Sequence, residues 1–157
     1  MDPNENNHLN NLTAKVPSEL IQSLVDNYRS NQLVCINEGL GIEDAHSIWF
    51  DLVTLKKFIT EIEDAAKNLE VPVPEENLGI RFYYAAYPEV PQEPIPASCS
   101  KKHTLVLVPT KKEDDQNYDF NPFEDQENVL AVTTGRMALA QNHGYLIPPG
   151  ASNVESY

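Results

Sequence analysis

Arg81, Tyr83 and Tyr87 stand at odd positions of the run Gly79 to Tyr87, so in a strand they share one face with Ala85. Arg81 offers a planar fork for a carboxylate, and the two tyrosines offer apolar bodies with polar tips, a combination enriched at binding surfaces. The alternative reading is that a helix over 52–67 or the Pro-rich loop covers this face and Arg81 pairs with an acid of the chain. His143 is the second candidate. It lies in Asn142-His143-Gly144, a tight turn that can present an imidazole able to act as acid or base near neutral pH. A structural role, fixing the turn, is the competing account. Together these residues define a candidate pocket: His143 as acid or base, Asp119 orienting it, Arg81 clamping an anion, Tyr83 or Tyr87 as donors, and Asn142 beside them as a binding residue.

Other chemistry lacks its residues. Asp115, Asn117 and Asp119 give the first half of a calcium loop, but Phe120 replaces the Gly of its sharp turn and Gln126 the bidentate Glu. A solvated acidic loop is therefore expected, with no metal. His8, His46 and His103 are scattered. Cys35 and Cys99 are too few for a disulfide framework or a thiolate site, and Cys99 reads as an incidental thiol. There is no Gly-x-Ser-x-Gly elbow, no His-Glu-x-x-His and no phosphate-cradling Gly-x-x-x-x-Gly-Lys, so no cofactor is expected. Pro88, Pro91 and Pro94 give Pro-x-x-Pro twice, but Glu89 and Glu93 fall where a flanking cation belongs; a stiff connector results.

Charge bears on partners. The 157 residues carry 24 acids and 11 bases, a net −13, which argues against nucleic acid and anionic membranes and in favour of a basic protein partner. No stretch reaches the ~20 apolar residues of a membrane span, and Met1 to Asn11 lacks the basic-then-apolar order of a secretory signal. A cytoplasmic location is expected, with the oligomeric state open.

The elements that must position these residues follow from periodicity. Residues 1–14 have the composition of a disordered segment, and 151–157 that of a flexible tail, which leaves a single domain over 15–150. Leu20, Ile21, Leu24, Val25 and Tyr28 predict a helix from Pro17, running on through Leu33, Val34 and Ile36 to Gly39 and Gly41. His46 to Asp51 predicts a strand. Leu52, Leu55, Phe58 or Ile59, and Ile62 predict a second helix capped by Asp51. In the strand Gly79 to Tyr87, Ile80, Phe82, Tyr84 and Ala86 form the expected core face. His103 to Thr110 predicts a central strand, bracketed by lysine pairs that guard a sticky segment. An open acidic loop follows over 113–127, then a last strand at Val129–Thr133, a turn or short helix at Gly135–Gln141, and an extended arm after Gly144.

The blocks Ser47-Ile48-Trp49-Phe50-Asp51-Leu52, Gly79-Ile80-Arg81-Phe82-Tyr83-Tyr84-Ala85-Ala86-Tyr87-Pro88, Thr104-Leu105-Val106-Leu107-Val108-Pro109-Thr110 and Asn142-His143-Gly144-Tyr145-Leu146-Ile147-Pro148-Pro149 resemble, in this order, a group of small uncharacterised bacterial proteins. In that group a Cys often precedes the paired prolines; here the position is Ile147, so no metal or redox role carries over. The resemblance implies a location and a domain boundary but no chemistry.

The expected architecture is α+β: two helices packed on a small mixed sheet, with 46–51 and 79–87 as parallel strands joined by a helical crossover, and long irregular loops. The leading functional expectation is an acidic interaction protein, antitoxin-, immunity- or inhibitor-like, docking a macromolecule. The alternative is a small-molecule binder or small enzyme with its pocket near Arg81 and His143. Mimicry of DNA, a third class, requires carboxylates arrayed on one ordered face.

Overall fold

The computed structural model describes residues 15–122, 138–142, 144–147 and 156, which fall into two compact units meeting in sequence at Asp44 and Ala45. The class is α+β. The first unit contains helices α1 (Ser18–Ser30) and α2 (Gln32–Leu40). One continuous helix is expected here, and Asn31 breaks it. Its side-chain amide donates to the Asn27 carbonyl at 2.7 Å, occupying the acceptor that a continuing helix would give to its own backbone N–H. That N–H turns to Tyr28 instead, at 3.3 Å. Gly41, with φ 62° and ψ 41°, ends α2 in the left-handed conformation glycine tolerates.

The second unit holds β1 (Ser47–Trp49), α3 (Leu52–Lys67), β2 (Leu78–Ala86), β3 (His103–Glu113), β4 (Gln116–Asp119) and β5 (Tyr145–Ile147). Asp51 caps α3 as expected, its carboxylate accepting the Thr54 N–H at 2.8 Å. Phe58 and Ile62 of the helix bury themselves against Leu107 of β3, with Leu55, Leu78, Ile80 and Leu105 packed around them. Burying each such side chain stabilises the fold by about 1.5–3 kcal/mol before cavity terms.

The sheets depart from the mixed arrangement. Every strand pair among the described residues is antiparallel: β2-β3-β4 form one sheet and β1-β5 another. No parallel crossover links β1 to β2. β1 has three residues and would add few rungs, whereas β2 and β3 match along their whole shared length from Leu78↔Lys111 to Ala86↔His103. The extended arm after Gly144 becomes β5, partner of β1.

β3 is central, as its two-sided apolar run predicts. Its far edge is closed by two separate segments. β4 pairs with Thr110–Glu113, and farther along Leu107 exchanges both backbone hydrogen bonds with Gln141, at 2.8 and 3.0 Å. Between them, Phe120 donates to the Pro109 carbonyl at 2.8 Å. A proline inside a central strand removes a ladder donor, and here it stands opposite the residue just past the end of β4.

The acidic stretch from Glu113 does not begin as an open loop. Asp114 and Asp115, at φ 48° and 61°, make the two-residue turn of the β3–β4 hairpin, a geometry that aspartate accepts more readily than most residues. The expected strand at Val129–Thr133 lies outside the described residues.

The face expected to be core in β2 is only half buried. Ile80 packs on the cluster, but Phe82 is 55 % exposed and Tyr84 96 %. The helix sits over the central strand; β2, at the sheet edge, passes out from under it after Ile80. No helix among the described residues is long and apolar enough to cross a membrane.

Candidate functional site

The antiparallel register carries Gly79, Arg81, Tyr83 and Ala85 of β2 to the same face as Thr110, Val108, Val106 and Thr104 of β3, and Thr110 in turn faces Asp119 of β4. Arg81 therefore reaches across the central strand. Its Nη1 donates to Asp119 Oδ1, and its Nη2 to the Asn117 carbonyl at 2.6 Å. The Tyr83 hydroxyl donates to the other Asp119 oxygen at 2.5 Å. The guanidinium carbon lies 6.0 Å from the Tyr83 ring centroid, the outer limit of a cation–π contact. The Tyr83 hydroxyl, then the Asp119 carboxylate, hold Arg81 above its already high ordinary pKa.

This geometry answers the choice posed by the sequence. Arg81 is paired to an acid of its own chain, and neither a helix nor the Pro-rich loop hides the pair: Arg81 and Asp119 side chains are 38 % and 42 % exposed. α3 covers the opposite face of the sheet. Both Asp119 oxygens have donors, so the carboxylate is built into a sheet-spanning clasp that ties β2 to β4.

Asp115, Asn117 and Asp119 do not converge as a cation loop would require. Asp115 sits in the hairpin turn with its carboxylate 3.1 Å from Lys112 Nζ, while Asn117 and Asp119 lie on β4.

Tyr87 and Asn142 meet at the other end of the same face. Thr104, itself buried, hydrogen-bonds Asn142 Oδ1 at 2.9 Å, and its hydroxyl lies 3.3 Å from that of Tyr87. Tyr87 also lines a 460 Å³ cavity with Ile95, Cys99, Lys102, Gly144 and Tyr145. Arg81 does not line it. The sequence candidates thus divide into two groups, Arg81 with Tyr83 and Asp119, and Tyr87 with Asn142. His143 lies outside the described residues; Gly144, next to it, is in close quarters, because a Cβ there would fall 2.4 Å from Ile48 Cγ2.

Comparison of the chain with protein-family models, curated proteins and solved structures finds no match.

Sequence reasoning missed the opposite face of β2. There Phe82 and Tyr84 reach solvent, and a 340 Å³ groove lies between α3 and the start of the strand, lined by Ile59, Ile62, Glu63, Glu75, Leu78 and Ile80. One signal was available. Phe82-Tyr83-Tyr84 sets large aromatic side chains on both faces of the strand in succession, so aromatic character alone does not mark which face is core.

Proposed function

We propose that the protein is an acidic interaction module that docks a basic macromolecular partner, as antitoxin, immunity or inhibitor proteins do. The observation that supports this most directly is the exposure of Phe82 and Tyr84 beside an apolar groove rimmed by Glu63 and Glu75. Exposed apolar surface rimmed by polar groups is the usual mark of a surface that another macromolecule covers. The net charge of −13 adds long-range attraction for a cationic partner and speeds its encounter. A pocket shared by Arg81 and the 142–144 turn draws less support, because the guanidinium and the Asp119 carboxylate already satisfy one another.

Affinity capture with the whole chain tests the reading, run at low and high salt beside the double variant Phe82→Ser, Tyr84→Ser. A basic protein retained at low salt, released by salt and lost with the variant is the expected result. Retention that is indifferent both to salt and to the variant would defeat the proposal.

A further inference from the structure

The exposed aromatics lie next to a strand edge that is unpaired among the described residues, and the hydrogen bonds of the central strand establish which way that edge faces. Leu107 directs its N–H and C=O to Gln141, and Pro109 has no N–H and gives its carbonyl to Phe120. Both residues therefore turn their backbone away from β2. Their partners across the ladder are Phe82 and Ile80, so these are the non-hydrogen-bonded pairs of an antiparallel ribbon. The opposite phase is visible at the other end, where the Tyr87 N–H donates to the Lys102 carbonyl at 2.9 Å. Alternation then points the N–H and C=O groups of Ile80, Phe82 and Tyr84 outward, and among the described residues none has a backbone partner there. Exposed sheet edges are commonly blunted by a proline or a lysine. β2 has neither, and its one charged side chain, Arg81, is turned to the clasp with Asp119.

We infer that β2 accepts an added strand: an extended segment of another polypeptide in which an apolar residue is followed two positions later by Lys or Arg, so that both lie on one face. This deepens the proposed function and rests on it. The outward amides and carbonyls of Ile80, Phe82 and Tyr84 supply the main-chain hydrogen bonds of strand addition. The groove against Ile59, Ile62 and Leu78 takes an apolar side chain, and Glu63 and Glu75, which line the same groove, select a cation two positions along the added strand, on the same face. A second copy of this chain is the disfavoured occupant, because pairing β2 with β2 brings together two molecules of charge −13.

The test uses the isotope-labelled full chain and a synthetic peptide, Thr-Val-Thr-Lys-Thr-Val-Thr-Lys, capped at both ends. Amide resonances of Ile80, Phe82 and Tyr84 should shift on titration, and their hydrogen exchange should slow about tenfold or more at saturation. The same peptide with every backbone amide N-methylated should not bind, since neither of its edges can donate to β2, and this control leaves the protein untouched. The same peptide with Glu in place of Lys should fail for reasons of charge. Tyr84→Pro removes an outward donor together with a ring that is already in solvent, and should weaken binding about tenfold or more while amide dispersion stays native; Tyr84→Ala, which keeps the donor, should weaken it less. The inference is overturned by unchanged resonances at these three amides up to about millimolar peptide, by binding that survives N-methylation, or by sedimentation showing that the edge is occupied by a second copy. Peptide-induced shifts confined to other acidic surfaces would overturn strand addition while leaving the broader interaction reading in place. Capture indifferent both to salt and to the Phe82, Tyr84 double variant in the preceding experiment would remove both.

Discussion

Alanine at position 144 tests whether Asn142-His143-Gly144 carries its glycine for steric reasons. A Cβ at Gly144 would lie 2.4 Å from Ile48 Cγ2 and 2.7 and 2.8 Å from two carbons of the Phe50 ring. Carbon atoms settle at about 3.5–4.0 Å, so each contact falls short by roughly 1 Å or a little more. Neither neighbour is free to retreat. Ile48 is held in the β1–β5 ladder opposite Leu146, and Phe50 packs on the core cluster. Overpacking of this kind costs about 1–3 kcal/mol. For a chain of this size each kcal/mol lowers the melting temperature by roughly 2–4 °C. Urea unfolding of wild type, Gly144→Ala, Ile48→Ala and the double variant measures the effect and its origin together. Removing Cγ2 from residue 48 relieves the shortest contact, so the double variant should be more stable than the sum of the single changes predicts, with a coupling of about 0.5 kcal/mol or more. An unchanged unfolding midpoint for Gly144→Ala, or strict additivity in the cycle, would refute the steric account.

Gly39 provides the opposite case: a Cβ there meets nothing within 4 Å, so Gly39→Ala in α2 should raise stability by about 0.5–1 kcal/mol in the same assay. Leu107→Ala, at a fully buried position facing Phe58 and Ile62, should cost about 2–5 kcal/mol by urea unfolding. Hydrogen bonds from Thr54, its hydroxyl first and its backbone N–H next, hold the Asp51 carboxyl below its ordinary value of 3.8. Its stabilising share is therefore fully present above that value and lost as pH falls through the lower, folded one. Asp51→Asn keeps the cap acceptor but cannot titrate, so its stability should fall less steeply than wild type between about pH 5 and pH 2 in denaturant titrations; parallel curves would contradict this. Tyr83→Phe and Asp119→Asn should be non-additive in a double-mutant cycle read by urea midpoint, because the Tyr83 hydroxyl donates to the Asp119 carboxylate; additivity would deny the clasp.

The sequence disclosed local structure well and long-range pairing poorly. The α3 stripe with its Asp51 cap, the two-sided run of β3 and the glycine stop of α2 depend on neighbours within a few residues, and each was legible in the spacing. Partnership between Tyr145–Ile147 and Ser47–Trp49 spans almost a hundred residues, and neither three-residue strand has a pattern that names the other. The break at Asn31 was hidden because the apolar period continues through it; a competing side-chain hydrogen bond decides the matter. For the candidate site, alternation put Arg81 and Tyr83 on one face and anticipated an acidic partner for Arg81. It did not identify Asp119 in that role, because the acidic stretch has no apolar alternation to announce β4. The exposure of Phe82 and Tyr84 depends on how far α3 extends across the sheet, a packing outcome that hydrophobicity alone does not give.

Phe120 and Gln141 fasten to positions of β3 only two residues apart, Pro109 and Leu107. The two attachments therefore occupy successive outward-facing positions of one strand, and loosening either would uncover backbone beside the other.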